Sequence, residues 1–422
     1  MLEQVQEWLP LGLAGLAAAT MIAFWVVQTA RHDARLRSIP IRVHVNGIRG
    51  KSTLVRYIAA ALREGGIETI AKTTGSATRV IYPDGTEAPV ERTGAPTIIE
   101  QIGVLREAVR PSTQAIVIEC MALQTEYQRV SEERMIRATD GVIANVRRDH
   151  VEQLGYELPQ IARSLSNTAP WQAPLYTAES DPEILAVLDE EAQRKGGRLV
   201  AVSSEDLTKD EKASFGPLAF AENIAIALAI AMRHGVDREV ALRGMRKAAP
   251  DPGASRVHRH QIGDREIYWI DLFGVNDVPS AHLNIDKISD WLFDDTKVVF
   301  VLNNRADRQH RTLQFAKLVA EHEAPDRILL VGENRSILRD TINARGAGAK
   351  LEDLDLAGVE SPEHLAKRIG LEASDSIALI GLANIHTEDA QRLKALLETE
   401  ETAWEAGSPT EQSGVRTGER AA

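Results

Sequence analysis

The feature that most constrains the fold of this chain is a glycine loop between a β-branched run and a helical stretch. Residues 41–45 (IRVHV) predict a strand, and residues 51–64 predict a helix that Gly65 and Gly66 would end. A loop of this kind places backbone amides and a lysine around an anion, and it is typical of parallel α/β folds. Its residues are Asn46, Gly47, Ile48, Arg49, Gly50, Lys51, Ser52 and Thr53.

The spacing within this loop predicts phosphate binding. The short form G-x-x-G-K-[ST] departs from the standard P-loop, which would have glycine where Val45 stands. In this prediction Lys51 reaches the outer phosphates of a nucleotide and the Ser52 hydroxyl binds magnesium. The strand–loop–helix context argues against a chance glycine turn before a surface lysine. The loop alone leaves open a transport ATPase, a small-molecule kinase and an ATP-driven ligase.

Buried, non-alternating runs at 68–72, 115–119, 141–146 and 198–202 predict the other strands of a parallel sheet. After 250–253 a hairpin at 256–262 and 265–270 precedes strands at 297–302, 327–331 and 376–380, which alternate with helices. We therefore expect an N-terminal anchor (1–38), a central α/β domain (39–253), a C-terminal Rossmann-like α/β domain (254–398) and a disordered polar tail (399–422).

The N-terminal segment predicts one transmembrane helix. Residues 8–30 carry no charged side chain, and as a helix they would extend roughly 34 Å, enough to cross a bilayer core. Glutamates precede the run and arginines follow it, which is the wrong polarity for a signal peptide and places the body in the cytoplasm. The alternatives are a buried soluble helix and an interfacial anchor. The flanking charges are Glu3, Glu7, Arg31, Arg35 and Arg37.

Composition excludes several function classes. The formal charge is −12, from 49 Lys and Arg against 61 Asp and Glu, which argues against a nucleic-acid coat protein with a basic surface. The single cysteine, Cys120, excludes an intramolecular disulfide and a zinc site built from several thiolates. From this composition we expect no nucleic-acid partner. The sequence does not determine the oligomeric state.

Polar residues at two predicted strand ends are candidate metal ligands. Glu119 ends the run AIVIE, where the carboxyl end of a parallel strand opens towards a ligand crevice. Asn145, Asp149 and His150 follow the next strand, and a neutral His150 oriented by Asp149 would be a second ligand. A solvated strand-end glutamate and a structural histidine are the alternatives.

Together these motifs resemble the Mur ligase superfamily of ATP-dependent amide-forming enzymes, from about residue 41 to 390. The resemblance implies nucleotide contacts from Asn223 and from Asp271 in the stretch DLFGVND, and a role for Arg305 in NNRADRQHR. It also implies a catalytic Arg256 in PGASR, although the family usually has this arginine directly after the glycine. The chain lacks a family lysine in ARSLSNTAP, which puts a second magnesium site in doubt.

A longer set of segments is similar to the ligase subunits of poly-gamma-glutamate synthases of the capsule biosynthesis type. The segments are VNGIRGKSTLVRYIAAALREGG, AKTTGSATRVIYPDG, IECMALQTEYQ and ANVRRDHVEQLG. The resemblance implies ATP and Mg²⁺ as cofactors, glutamate and a growing polyglutamate chain as substrates, an acyl phosphate intermediate, and integral membrane partner subunits. It implies that Lys51, His150 and Arg256 are catalytic and that Ser52, Glu119 and His150 bind the metal.

Three other functions remain open from the sequence. A folylpolyglutamate-type or peptidoglycan-type ligase would use the same chemistry on another acceptor. A membrane-anchored ATPase of an export assembly would hydrolyse ATP without making a bond. A regulatory scaffold would bind the nucleotide without turnover.

Overall fold

Two sheets, each with its own layer of helices, account for most of the regular structure. The computed structural model describes residues 2–74, 78–92, 94–216, 218–251, 257–275, 278–292, 295–371, 376–384 and 386–399. The chain divides into two compact units. Unit 1 comprises Met1–Thr208 and Phe220–Pro252, and unit 2 comprises Lys209–Ala219 and Gly253–Ala422. The tail predicted to be disordered lies, after residue 399, outside the described residues.

Unit 1 contains an eight-stranded sheet with the order β4-β3-β2-β5-β1-β6-β7-β8. Six neighbouring strands pair in parallel, in the order β2, β5, β1, β6, β7 and β8. At one edge, β3 pairs antiparallel with β2 and with β4. The strands are β1 (Ile41–Asn46), β2 (Thr69–Lys72), β3 (Arg79–Ile81), β4 (Glu87–Pro89), β5 (Ala115–Glu119), β6 (Asp140–Ile143), β7 (Pro174–Thr177) and β8 (Arg198–Ala201).

The helices of the first 250 residues surround this sheet, except α8, which belongs to unit 2. A π-helical turn, Ser131–Ile136, follows α4. The helices are α1 (Leu2–Ser38), α2 (Lys51–Glu64), α3 (Glu100–Ala108), α4 (Thr125–Val130), α5 (Val151–Leu154), α6 (Leu158–Leu165), α7 (Pro182–Arg194), α8 (Lys209–Ala213), α9 (Ala221–Arg233) and α10 (Arg238–Arg246).

The sheet register explains where the site of unit 1 lies. β1 is central, and it pairs in parallel with β5 on one side and with β6 on the other. Val45 is level with Glu119, and Asn46 is level with Ile143. The glycine loop, Glu119 and the segment after β6 therefore leave the same edge of the sheet.

Close helix packing holds α2 behind the loop. A Cβ atom on Gly244 of α10 would lie 2.5 Å from the backbone oxygen of Ala60, so the absence of a side chain lets α10 contact α2 directly. Leu54, Ile58 and Leu62 are fully buried on the sheet-facing side of α2. This packing fixes the helix whose N-terminus begins at the loop.

The N-terminal helix α1 has two different parts. Residues 13–38 form a helix long and apolar enough to cross a membrane, and its large apolar side chains between Leu13 and Val27 are exposed. The last turns instead pack on unit 1, where Leu36 is buried and the His32 ring contacts the backbone oxygen of Met135 at 2.9 Å. The apolar part has no partner among the described residues, whereas the end of the helix is attached to the body.

Unit 2 contains a six-stranded sheet with the order β13-β12-β11-β14-β10-β9, parallel except for the β9–β10 hairpin. The strands are β9 (Val257–Ile262), β10 (Arg265–Asp271), β11 (Lys297–Asn304), β12 (Arg327–Gly332), β13 (Leu351–Asp353) and β14 (Ser376–Leu382). The helices are α11 (Val278–Trp291), α12 (Gln309–Glu321), α13 (Arg335–Asn343), α14 (Pro362–Arg368) and α15 (Glu388–Leu397). Apolar clusters on both faces of the sheet include Phe300 and Phe315 on one side and Trp269 and Leu379 on the other.

The predicted fold class is confirmed: a parallel α/β body follows one long apolar helix, and a second α/β unit follows that body. The strand predicted at 141–146 ends at Ile143, because the Val146 N–H bonds to the Glu179 side chain instead of a strand. The strands β7, β13, β3 and β4 were not predicted, because they are three or four residues long and carry little periodic signal. The domain boundaries proposed at 38, 253 and 398 stay predictions.

Candidate active site

The glycine loop in unit 1 depends on two residues in conformations that other residues rarely adopt. Gly47 has φ +135° and Gly50 has φ +71°, directly before the first turn of α2. The backbone angle of Gly50 favours glycine, and a Cβ atom there would lie 2.8 Å from Nδ2 of Asn223 and would displace that side chain. The loop therefore delivers the chain to a helix N-terminus whose free amides favour an anion.

Asn145 holds the loop from the neighbouring strand end. Its Oδ1 accepts the N–H of Arg49 at 3.0 Å, and its Nδ2 donates to the carbonyl of Arg49 at 2.8 Å. Its own carbonyl accepts the N–H of Ile48 at 3.3 Å. These three hydrogen bonds preorganise the loop before any ligand binds.

Two asparagines that were predicted to contact the nucleotide form hydrogen bonds with other protein groups in this structure. The Asn46 amide is buried and donates to Gln128, Thr168 and the carbonyl of Leu165, and its Oδ1 accepts the N–H of Gly47 at 2.9 Å. Asn223, near the start of α9, donates to the carbonyl of Gly50 at 3.3 Å. Both side chains therefore fix the loop backbone, and their nucleotide contacts stay predictions.

The Lys51 side chain folds back over the loop that precedes it. Its Nζ donates to the carbonyl of Gly47 at 2.8 Å and reaches the carbonyl of Ile48 at 3.4 Å. The ammonium group thus lies within the curve of the loop, where it adds a positive charge to the helix N-terminus. Thr53 lies in the same first helical turn.

Ser52 and Glu119, the two residues predicted to bind magnesium, lie together, and their role as metal ligands stays a prediction. The Ser52 hydroxyl donates to Oε2 of Glu119 at 2.8 Å, and the same oxygen accepts the N–H of Thr74 at 2.7 Å. Glu119 is only 3% exposed. A hydroxyl and a buried carboxylate are hard oxygen donors, so this pair fits Mg²⁺.

Lys72 is a component of this strand edge that the sequence analysis missed. It ends β2, is fully buried and forms an ion pair with Glu100 at 2.7 Å. Burial lowers the pKa of Lys72, although the charges of Glu100 and Glu119 oppose that change. Like Glu119 at the end of β5, Lys72 is a charged residue at the carboxyl end of a parallel strand, and the two strands are neighbours.

Asp149 and His150 lie beside the loop, but the His150 side chain is half exposed and that of Asp149 is 28% exposed. Asp149 forms an ion pair with Arg49 at 2.9 Å and accepts the backbone N–H of His150 at 2.8 Å. His150 has φ +47° and is the N-cap residue before α5, and its Nε2 is 3.8 Å from the Asp149 carboxylate. Among the described residues, no hydrogen bond joins His150 to Ser52 or Glu119, so its role as a metal ligand stays a prediction.

The remaining predicted residues belong to unit 2 or lie outside the described residues. Asp271 ends β10 and forms an ion pair with Lys394; burial raises the pKa of Asp271 against the effect of that partner. Arg305 forms an ion pair with Asp307 at 2.7 Å. Arg256 lies outside the described residues, as do residues 276 and 277 of the DLFGVND stretch.

Sequence comparison gives one family and two named relatives. Residues 257–400 match the sequence model of the poly-gamma-glutamate synthase CapB C-terminal domain. The chain is 35% identical over 324 residues to the capsule biosynthesis protein CapB of Bacillus anthracis, covering 76% of this chain and 69% of that protein. It is 32% identical over 375 residues to the PGA synthase CapB of Bacillus subtilis (strain 168), covering 88% and 94%.

Solved structures share the fold at low sequence identity. MurF from Acinetobacter baumannii superimposes with a TM-score of 0.61 and 14% identity, over 88% of this chain and 79% of that one. The folylpolyglutamate synthase/dihydrofolate synthase of Yersinia pestis, complexed with AMPPNP and a Mn ion, gives 0.57 and 16%, over 87% and 91%. At these identities the likeness shows the fold alone.

Proposed function

The chain belongs to the CapB family of poly-gamma-glutamate synthases, and we propose that it is an ATP-dependent ligase that extends poly-gamma-glutamate through an acyl phosphate. The two relatives named for this family support the glutamate ligase activity. The shared fold with MurF and with a folylpolyglutamate synthase supports a ligase rather than a transport ATPase. The acyl phosphate and the residue roles are our proposal.

One observation in this chain carries the proposal. The Ser52 hydroxyl and the buried Glu119 carboxylate meet at 2.8 Å, directly beside the loop that holds Lys51. This arrangement places a cation-binding pair and an ammonium group at one anion-binding helix N-terminus. A triphosphate carries the charge that such a site would neutralise.

The chemistry we propose has two steps. A γ-carboxylate oxygen of the growing chain attacks the γ-phosphorus of ATP, the bond from phosphorus to the bridging oxygen breaks, and ADP leaves. The amine of glutamate then attacks the acyl carbon, the carbon–oxygen bond to phosphate breaks, and the amine loses a proton to solvent. Phosphorylation is needed because a free carboxylate is a poor electrophile.

The residues of unit 1 would serve this chemistry by charge and position. Lys51 would stabilise charge on the transferring phosphoryl group, and the backbone amides of the first turn of α2 would bind the other phosphate oxygens. Mg²⁺, held by Ser52 and Glu119 with His150 as a further predicted ligand, would neutralise part of the triphosphate charge. Arg256, Arg305, Asp271 and Asn223 keep their predicted substrate and nucleotide roles as parts of this proposal.

The apolar part of α1 supports a membrane anchor in the same proposal. Its exposed apolar side chains suit lipid, and Arg31, Arg35 and Arg37 follow it, which favours a cytoplasmic body. A single helix cannot enclose a channel, so we expect integral membrane partner subunits. In cell fractions, the double variant Ile22→Arg with Val26→Arg should move the protein from membranes to the supernatant, whereas the exposed Ile99→Arg should not.

The activity test uses the full chain in its membrane fraction with ATP, Mg²⁺ and labelled L- or D-glutamate. We expect glutamate-dependent release of ADP and phosphate together with labelled polymer. ATP hydrolysis that is independent of glutamate would indicate an ATPase instead. AMP and pyrophosphate as the stoichiometric products would contradict the acyl phosphate.

A further inference from the structure

A cluster of three metal-ligating side chains lies in unit 2, on elements that the ligase chemistry does not use. His282 and Asp286 are one helical turn apart on α11, and His322 follows the last residue of α12. One ligand atom from each residue lies within 4.8 Å of the others. The two helices thus bring together a set of two imidazoles and one carboxylate.

The distances within the cluster are close to those of a metal site. Nδ1 of His282 is 2.8 Å from one oxygen of Asp286, and Nε2 of His322 is 3.3 Å from the other. Ligand atoms about 2.0–2.1 Å from a tetrahedral zinc ion are about 3.3 Å apart. The three ligand atoms lie within 4.8 Å of one another, so side-chain movements that bring them to this spacing would let one ion contact all three residues.

The surroundings hold one ligand firmly and leave the others accessible. The His322 side chain is 10% exposed and its ring lies edge-on to Phe300, with centroids 5.9 Å apart. The side chains of His282 and Asp286 are about half exposed. Both histidines line an open cavity of about 400 Å³, to which Gln314 also contributes, so solvent can reach the cluster.

Hydrogen bonding shows what a metal would replace. Nδ1 of His322 accepts the backbone N–H of Ala324 at 3.0 Å, so the Nε2 atom that faces Asp286 carries the proton of the neutral ring. Metal binding at Nε2 would move this proton to Nδ1 and break the bond from Ala324. Metal binding at Nδ1 of His282 would likewise break its hydrogen bond to Asp286 and move the proton to Nε2, which the half-exposed side chain allows. We therefore expect weaker binding than at a structural site with four protein ligands.

We propose that His282, Asp286 and His322 form a binding site for one divalent transition-metal ion of the zinc class. Imidazole ligands select zinc, nickel, copper and iron over magnesium, whereas the pair Ser52 and Glu119 offers only oxygen. Three protein ligands leave at least one position open for water or a small anion from the cavity. The ion would join α11 to the end of α12.

The test uses the full chain in detergent, with any histidine tag removed and with metal stripped by a chelator that is then removed. Zn²⁺ alone is titrated in competition with a chromogenic chelator, in the presence of excess Mg²⁺. We expect one equivalent of Zn²⁺ to bind. Co²⁺ at the same site should give the visible absorption of a low-symmetry site with nitrogen ligands.

Two variants and one control decide the outcome. His282→Gln and His322→Gln should each weaken zinc binding on the order of 100-fold. His364→Gln, which changes an exposed histidine on α14, should bind like the unchanged protein. Because His282 is half exposed, its variant should fold normally, as a circular dichroism spectrum can check. Equal zinc affinity of His282→Gln and the unchanged protein would overturn the proposal.

Discussion

The two sheets place different chemistry at equivalent strand ends. In unit 1, β1 leads into a glycine loop, and the neighbouring β5 ends in Glu119. In unit 2, β11 ends in Asn303 and Asn304, and its neighbour β14 leads to Asn384. Both edges are carboxyl ends of parallel strands, where ligands commonly bind.

In unit 2 several polar groups at this edge bond to one another, although Oδ1 of Asn384 has no hydrogen-bond partner among the described residues. The Asn303 amide donates to the carbonyl of Asn384, and the Asn384 amide donates to Asn303 and to Thr312 on α12. The Thr387 hydroxyl donates to Oδ1 of Asn303 at 3.0 Å. This network joins two strands and two helices, so it stabilises unit 2.

In unit 1 the Lys51 ammonium and the first turn of α2 remain available to a ligand, whereas the amides of Gly47, Ile48 and Arg49 bond to Asn46 and Asn145. The loop amides lie at a helix N-terminus, and the Lys51 ammonium contacts only loop carbonyls among the described residues. Both sheets have parallel strands whose carboxyl ends meet at one edge. Whether that edge binds an anion depends on the glycine, lysine and carboxylate residues located there.

The largest expected effect comes from Lys51→Ala. If the edge of unit 1 is the reaction centre, loss of this charge should reduce glutamate-dependent ADP release on the order of 1,000-fold. Lys367→Ala, which changes an exposed lysine of unit 2, provides the matched control. Undiminished turnover by Lys51→Ala would contradict the proposal that the reaction takes place at the edge of the unit 1 sheet.

Glu119→Gln should have the next largest effect. The amide keeps the size of the side chain but removes the negative charge that would attract Mg²⁺. The Mg²⁺ concentration for half-maximal activity should rise on the order of 100-fold. An unchanged magnesium dependence would mean that Glu119 only positions Ser52 and Thr74.

Asn384→Ala tests the other side of the comparison. It removes a buried amide that bridges β11 and α12, so the free energy of unfolding of unit 2 should fall by about 2 kcal/mol. Urea unfolding followed by the fluorescence of a unit 2 tryptophan measures this change. The exposed Asn343→Ala should cost much less; equal losses would show that the network does not stabilise unit 2.

The smallest expected effect is a pH dependence in unit 1. Burial opposes protonation of His44, but its interactions with Cys120 and Glu132 outweigh that effect and raise its pKa to about 9. The folded state therefore holds a proton that the unfolded state releases near pH 6.5, and stability falls as the pH rises from there to about 9.

Between pH 7 and 8 this loss should approach about 1.4 kcal/mol in the free energy of unfolding. Because His44 and Glu132 both lie in unit 1, the dependence should appear in the unfolding of unit 1. The variant His44→Asn should flatten the curve. A curve that keeps its slope in this variant would assign the dependence to another group.

The sequence predicted those site residues that are neighbours along the chain or that end a recognisable strand. The loop residues adjoin one another, and Glu119 was found because a strand end is visible in AIVIE. Lys72 was missed because its burial and its pair with Glu100 depend on the packing of β2 and α3. The cluster of His282, Asp286 and His322 joins residues 40 positions apart, and such contacts leave no periodic signal.

The acyl phosphate is the central claim, and oxygen transfer tests it most directly. A γ-glutamyl acceptor and free glutamate, both carrying ¹⁸O at both oxygens of the γ-carboxylate, are incubated with the membrane-bound protein, ATP and Mg²⁺. Our account predicts one ¹⁸O atom in each phosphate released, because the attacking carboxylate oxygen leaves with phosphorus. Polymer extension with release of ADP and unlabelled phosphate would contradict it.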